Sequence, residues 1–216
     1  MYALLDNNQI KVGPRQYNAA FFNQYLQEQQ ITDFTFPDEY SDTTAISVTP
    51  TIKLVKVAPV TYPQYNSLTE QIQGPTYNTA TDPIGVSYTV VDRSLEAAKS
   101  DLKNTLAAIR YNRETSGIKV TIQGKEVSVD TGRGDDRNIW FQSFMLLSDG
   151  QTQQFKFPKE QVWLDLTKSD IGTIVQAIML HIQSAFEWES TEAAKIDAVT
   201  SKADLIALES EIKGAQ

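Results

Sequence analysis

The sequence predicts an α+β protein, with a small β-rich N-terminal domain followed by a C-terminal domain of helix, hairpin, helix, strand pair and long helix. Two observations lead to this prediction. Six prolines divide residues 31–91 into pieces of strand length that are rich in β-branched residues. From residue 92 onward, apolar residues recur at steps of three or four, the spacing of an amphipathic helix. We therefore expect domains at residues 1–91 and 92–216.

The N-terminal domain should begin with a hairpin and a short helix. Two apolar segments within residues 1–12 flank an Asp-Asn-Asn turn, and Asp and Asn tolerate the backbone of tight turns. Residues 17–29 then show a rough apolar helix face. Further strands are expected at residues 45–48, 51–57 and 86–91. The tyrosine-rich segments 62–67 and 73–79 are interpreted as loops.

Capping and turn residues separate the predicted elements of the C-terminal domain. Asp92 or Ser94 can cap a helix that ends near Thr115, and residues 118–129 alternate around a glycine turn as a hairpin does. The helix predicted at residues 133–147 is apolar around most of its circumference, so we expect it to be buried. A strand pair follows, at residues 155–157 and 162–164, and two capping segments then begin the last helices, at Thr167–Asp170 and Ser201–Asp204.

Composition narrows the function classes. Lysine and arginine number 19 against 27 acidic residues, and the net charge of −8 disfavours nucleic-acid binding and docking on an anionic membrane. The absence of cysteine excludes disulfides and thiolate zinc sites. The N-terminus lacks the basic and apolar regions of an export signal, and no apolar run approaches the length of a membrane span. We expect a soluble protein without an export signal.

Several short motifs invite a functional reading, and each has a plainer structural one. Asp130-Thr131-Gly132 matches an aspartic peptidase loop, but that chemistry needs a second carboxylate, so we interpret Asp130 and Thr131 as ending a strand and capping the next helix. The following Arg-Gly-Asp is interpreted as a turn. Asp130 and its acidic neighbours at 135 and 136 lack EF-hand spacing. The single histidine, His181, is expected to be hydrogen-bonded in a core or interface. We predict no catalytic residue, cofactor or metal.

Aromatic and apolar residues suggest surfaces for protein contacts. Tyrosine gives a large contact area at low entropic cost. The apolar residues of the terminal helices pack either within the chain or against other subunits, and the sequence leaves both open. The candidate interaction residues are Tyr62, Tyr65, Tyr77, Phe186, Trp188, Ile196, Leu205 and Leu208.

The order of elements in the C-terminal domain resembles a module of undefined activity from tailed-bacteriophage tail-fibre and tail-assembly proteins. The resemblance is carried by Ser94–Lys99, Leu106–Arg110, Glu114–Gly117 and Val127–Gly132. Further on it includes the aromatic strand segment from Phe155 to Trp163, Leu166-Thr167 and His181. The module usually has Asp-Thr-Asp-x-x-Ser where this chain has Asp130-Thr-Gly-Arg-Gly-Asp. The N-terminal Ile10–Arg15 segment is similar to leaders of uncharacterised tailed-phage proteins.

This resemblance implies a non-enzymatic structural subunit of a phage tail, synthesised in the host cytoplasm and located in the virion at the baseplate or fibre attachment. Its expected partners are other tail proteins and copies of itself, with a trimer favoured; binding of a host-surface glycan is left open. One alternative is a tail-fibre assembly chaperone that is absent from the mature virion. A remote alternative is an aspartic peptidase that uses Asp130.

Overall fold

The computed structural model describes residues 1–214, apart from the side chains of residues 135 and 136. The chain is a mixed α+β protein with small antiparallel sheets, which confirms the predicted fold class. It divides into two compact units, unit 1 at Met1–Asp92 and unit 2 at Arg93–Gln216. Within the described residues, none of the helices combines the length and apolar character of a membrane span.

Unit 1 is built mainly of strands. In chain order its elements are β1 (Tyr2–Asp6), β2 (Gln9–Arg15), α1 (Ala19–Glu28), β3 (Ile46–Ser47), β4 (Ile52–Lys56), β5 (Glu70–Asn78) and β6 (Gly85–Asp92). Four strands form an antiparallel sheet in the order β2-β1-β4-β3, and β5 pairs with β6 in a separate ribbon. The β1–β2 turn uses Asn7 and Asn8 at φ of 50° and 60°, as the turn chemistry predicts.

The central strand β1 is buried on both faces of the four-stranded sheet. Tyr2 and Leu4 join a core cluster that includes Phe22 of α1, whereas Ala3 and Leu5 join a second cluster on the opposite face. Successive strand side chains point to opposite faces, so a run of four apolar residues fills both clusters. The sheet is therefore covered by apolar side chains on its two sides.

The prediction of a loop at residues 73–79 is wrong. Residues 70–78 form β5, and the register against β6 shifts between Gln73 and Thr76. Gly74 and Pro75 lie at this irregularity, where Gly74 has φ +127°. A bulge on an outer strand accepts proline, because its missing N–H is not needed by the ladder there. The proline and glycine that favoured a loop therefore mark a bulge.

Unit 2 alternates helices with hairpins. Its elements are α2 (Leu95–Glu114), β7 (Ile118–Ile122), β8 (Lys125–Val129), α3 (Asp135–Leu146), β9 (Thr152–Phe157), β10 (Val162–Thr167), α4 (Lys168–Ala198) and α5 (Lys202–Gly214). Ser94 caps α2 by accepting from the Ala97 amide. Thr167 and Asp170 form the predicted capping box of α4 with reciprocal hydrogen bonds.

The core of unit 2 lies between the two hairpins and the long helix α4. Alternate residues of β7, β8, β9 and β10 are buried against the α4 face that carries Ile171, Ile174 and Ile178. Trp140 of α3 enters the same cluster, with its ring stacked at 4.6 Å from that of Phe155. Helix α2 packs on α4 and α5. The long helix thus supports both the hairpins and the other helices.

The expectation that α3 is buried all round is wrong. Trp140 and Ser143 are buried, but Ile139, Met145 and Leu146 are exposed. Because α3 packs along one side of α4, only the side of α3 that faces the core is covered. Its apolar residues outnumber the positions that this one side can bury, so the remainder face outward.

Candidate functional site

The end of α2 carries a buried carboxylate, Glu114, that three arginines surround. Glu114 is 1% exposed. Arg110 Nη1 lies 2.7 Å from its Oε2, and Arg137 donates from Nη1 and Nη2 to Oε1 at 3.2 and 3.1 Å. Arg133 donates from Nε to Oε1 at 2.9 Å and from Nη2 to Oε2 at 2.7 Å. We call these four residues the arginine junction.

The arginine junction ties together elements that are distant in sequence. Arg110 belongs to α2 and also donates from Nε to Glu189 Oε2 of α4 at 3.1 Å. Its guanidinium lies 4.5 Å from the ring centre of Phe186, also on α4. Arg137 belongs to α3 and donates from Nε to the Thr131 carbonyl at 3.2 Å. The junction therefore fixes α2, α4 and the segment from β8 to α3 around one carboxylate.

Hydrogen bonding holds Glu114 in its ionised form. The bonds from Arg133 contribute most, and those from Arg137 and Arg110 add to them, so the pKa of Glu114 is lowered to about 2 despite the opposing effect of its burial. The same contact raises the pKa of Arg133 above its usual value. At neutral pH these side chains act as a fixed ion cluster. A carboxylate with so low a pKa is a poor proton donor or acceptor for catalysis.

Thr131 connects the hairpin to the end of α2, rather than capping α3 as we predicted. Its buried hydroxyl donates to the Glu114 carbonyl at 2.6 Å and accepts from the Gly117 amide at 3.0 Å. Asp130 accepts from the Gly132 amide at 2.7 Å, which is a local turn contact. The N-cap of α3 is Gly134, and none of the described side chains caps this helix. The predicted capping role is therefore wrong.

The remaining motif residues have structural partners. Arg133, the first residue of the Arg-Gly-Asp segment, is bound in the arginine junction; the side chains of Asp135 and Asp136, which we considered as calcium ligands, lie outside the described residues. His181 is half-buried, and its Nε2–H donates to the Arg113 carbonyl at 2.8 Å, since a carbonyl only accepts. Among the described residues no group of three or more acidic or histidine side chains is placed to hold a metal ion.

The three candidate tyrosines of unit 1 differ in their surroundings. Tyr62 is 61% exposed, and its ring lies 4.9 Å from that of Tyr88 on β6. Tyr65 is also exposed. Tyr77, in contrast, is half-buried and packs against the core cluster that contains Ile84. Tyr62 and Tyr65 are thus accessible to a partner, whereas Tyr77 belongs partly to the core.

The five candidate residues of the terminal helices fall into two groups. Phe186 is partly exposed below the Arg110 guanidinium, and Trp188 is half-buried below Arg113 at 3.7 Å. The other three, Ile196, Leu205 and Leu208, are buried within unit 2. Their interpretation as interaction residues is therefore wrong, because α2, α4 and α5 pack together and already cover them. The sequence left open whether these residues pack within the chain or against other subunits, and at these three positions they pack within the chain.

Exposed apolar residues that we did not predict lie on the two packed helices α3 and α4. Met145 and Leu146 of α3 are 77% and 82% exposed, and Met179 and Leu180 of α4 are each more than half exposed. We call these four residues the apolar surface. One sequence feature pointed to it, because a short helix with apolar residues on every side cannot bury them all against one neighbour.

A cleft of about 510 Å³ opens beside the stacked rings of unit 2. Its walls come from the end of β8, from Ile139 and Trp140 of α3, and from β9 with the turn that follows it. Lys156 of β9 and Lys159 of the following turn line one side of the cleft, and Asp130, just after β8, lines the other. Trp140 and Phe155 are themselves almost fully buried. The cleft has room for a small ligand, although its aromatic rings serve mainly the core.

Comparison with known protein families identifies the family of unit 2. The family model described as a domain of unknown function, DUF4376, matches residues 97–211, which is more than half of the 216-residue chain. The chain belongs to the DUF4376 family. No curated protein and no solved structure matches it. The DUF4376 region lies within unit 2 and contains the whole arginine junction and the apolar surface.

Proposed function

We propose that this DUF4376 protein is a non-enzymatic structural subunit of a bacteriophage tail, at the baseplate or fibre attachment, and that it works through protein–protein contacts. The role in protein contacts is supported by the apolar surface of unit 2. The tail location is supported by the sequence resemblance to tailed-phage modules alone. Its partners are then other tail proteins and further copies of itself.

The observation that carries the proposed role in protein contacts is the exposure of Met145 and Leu146. Single exposed apolar side chains are common on soluble proteins. Here two consecutive large side chains on α3 are more than three-quarters exposed, and α4, which packs against α3, exposes Met179 and Leu180. Burial of these exposed apolar side chains against a partner protein is energetically favourable. Methionine also adapts its shape to different partner surfaces.

The arginine junction fits a scaffold better than a reaction centre. Each of its three guanidinium groups is hydrogen-bonded to Glu114, and Arg110 is bound to Glu189 as well. Charged side chains that are paired with one another hold the helices that carry them in fixed relative positions. A unit stiffened in this way can present a surface of fixed shape to neighbouring subunits. The expectation of synthesis in the host cytoplasm remains a prediction, and so does the favoured trimer, which sedimentation equilibrium of the full chain distinguishes from a dimer.

Mass spectrometry of purified phage particles tests the proposal. A structural subunit is expected in the particles at a fixed ratio to a major tail protein. The alternative of an assembly chaperone predicts that the chain is abundant in infected cells and missing from purified particles. Its absence from particles would therefore contradict the structural role and favour the chaperone.

A further inference from the structure

One edge of the β5–β6 ribbon in unit 1 is open over almost the whole length of β6. The ribbon has two strands, so β6 has a single strand neighbour. Within the described chain, the backbone groups of residues 86–91 that face away from β5 make no hydrogen bond to the backbone of another segment. The nearest pairing on that side is the bridge between Val57 and Ile84, just before β6 begins. An unpaired strand edge is a template for a further strand.

The two outer edges of the ribbon are unequal. The β5 edge contains Glu70, and the bulge with Gly74 and Pro75 interrupts it. Charge, proline and bulges are the features that prevent an edge strand from pairing with another chain. The β6 edge from Gly85 to Val91 has no charged residue and no proline. The chain therefore protects one edge of the ribbon and leaves the other open.

The sequence of β6 is complementary to itself. If two copies pair antiparallel with Tyr88 at the centre, Ser87 faces Thr89 and Val86 faces Val90 of the other copy. Hydroxyl pairs and β-branched pairs of this kind stabilise antiparallel strands. This register keeps the apolar and polar faces of the two ribbons aligned, because even-numbered residues face even-numbered ones. It also leaves Asp92 outside the uncharged segment.

An aromatic pair, the half-buried Tyr88 and the exposed Tyr62, lies at the centre of this edge. Tyr88 packs beside Gly74, where a Cβ would come within 3.4 Å of its ring, and its other neighbour is the exposed Tyr62. In the two-fold arrangement each Tyr88 would face its counterpart, with a Tyr62 beside each. Aromatic pairs across antiparallel strands add to the stability of a sheet.

From the open edge, its self-complementary sequence and the central tyrosines, we infer that β6 pairs with β6 of a second copy of this chain to form a two-fold dimer. The two ribbons would then form one four-stranded antiparallel sheet. A two-stranded ribbon is only marginally stable by itself, and four strands are more stable. The pairing is isologous, so it closes at two copies and does not propagate. The inference rests on the proposed self-association, names its surface, and gives a dimer in place of the trimer that the sequence resemblance favoured.

Charge substitutions at Ser87 and Thr89 test the inference, since both are exposed and pair within the ribbon with the uncharged Thr76 and Gln73. In the dimer, these two positions face each other across the new interface. The double variant Ser87→Lys with Thr89→Lys would oppose like charges twice. The variant Ser87→Lys with Thr89→Glu would oppose unlike charges twice. A control with Gln71→Lys and Gln73→Lys places two charges on the neighbouring strand β5.

Sedimentation equilibrium of the full chain gives the outcome. The wild type is expected near twice the chain mass of 24.2 kDa. The two-lysine variant is expected to dissociate, with affinity weakened about tenfold or more, while the lysine–glutamate variant and the β5 control remain dimeric. Circular dichroism establishes that each variant is folded. If the two-lysine variant is misfolded, the lysine–glutamate variant decides the question. A lysine–glutamate variant that is folded but monomeric would contradict the pairing.

The possible failures are distinguishable. A monomeric wild type would overturn self-association altogether, and a trimer would overturn the two-fold pairing. A dimer that the two-lysine variant leaves intact would overturn β6 as its surface. The presence of the chain in phage particles is measured separately, so none of these results decides whether the protein is a tail subunit.

Discussion

Arg133 binds Glu114 through two parallel hydrogen bonds, from Nε to Oε1 at 2.9 Å and from Nη2 to Oε2 at 2.7 Å. This fork arrangement joins a loop residue to the last residue of α2. Arg110 and Arg137 complete the shell of a carboxylate that is 1% exposed. A charge can remain buried in this way because its partners replace the hydrogen bonds that water would provide. The stability of unit 2 should therefore depend on Glu114.

Replacement of Glu114 by glutamine should destabilise the protein strongly. The change keeps the shape of the side chain but leaves three arginines around a neutral group. Removal of one partner from a buried ion pair costs about 3–5 kcal/mol. The free energy of unfolding, measured in urea, checks this value. As a control, Glu126→Gln removes an exposed pair with Lys119, and its cost should stay below about 1 kcal/mol. Equal losses for the two variants would contradict the role of the junction.

The contribution of Glu114 should disappear in acid. Its pKa is lowered from 4.5 to about 2 in the folded chain. A carboxylate with a lowered pKa stabilises the folded state above its unfolded pKa, and this stabilisation is lost as the pH falls through the folded value. A shift of this size corresponds to about 3 kcal/mol. The difference in unfolding free energy between the wild type and Glu114→Gln should be constant above about pH 5 and should shrink towards pH 2. A difference independent of pH across this window would contradict the assignment.

The Thr131 hydroxyl should stabilise the connection between α2 and the β7–β8 hairpin. Thr131→Val keeps the volume of the side chain but removes the hydroxyl that bonds the Glu114 carbonyl and the Gly117 amide. Unsatisfied buried groups of this kind cost about 1–3 kcal/mol. Thr131→Ser retains the hydroxyl and should lose less. Hydrogen exchange of the Gly117 amide provides a local readout, and an unchanged rate in Thr131→Val would count against this contact.

The apolar surface should be dispensable for folding and required for assembly. Met145→Ser combined with Leu146→Ser changes two side chains that are already exposed, so the free energy of unfolding should change by about 0.5 kcal/mol or less. Incorporation of the variant into phage particles should decrease, because the covering partner loses its apolar contacts. Gln142→Ser, at an exposed position of the same helix, should assemble normally. Normal incorporation of the double variant would show that this surface is not used.

Features that depend on a few neighbouring residues could be predicted from the sequence. The Asn7-Asn8 turn, the Ser94 cap and the Thr167–Asp170 capping box are each determined by local hydrogen bonding, and all three are present. The fold class followed from the same local patterns. The prediction of a loop at residues 73–79 was wrong because glycine and proline, here Gly74 and Pro75, occur at β-bulges as well as in loops.

The candidate site could not be predicted in the same way, because it depends on contacts between distant residues. Glu114 appeared as one charged residue among several at the end of a helix, and nothing local connects it to Arg133 and Arg137. Arg133 lies in the loop before α3 and Arg137 lies in its first turn, so no helical spacing indicated that the two arginines share a partner. The exposure of Leu146 likewise depends on which side of α3 the core covers.

The central claim is that the chain is a structural component of the tail, and quantitative mass spectrometry of particles tests it most directly. Isotope-labelled peptides from unit 1 and unit 2 would give the number of chains relative to a major tail protein, in particles washed at high salt and in the infected-cell lysate. A structural subunit predicts the same whole-number ratio in independent preparations, equal for both units and unchanged by washing. Less than one copy per particle, with abundant chain in the lysate, would contradict the claim.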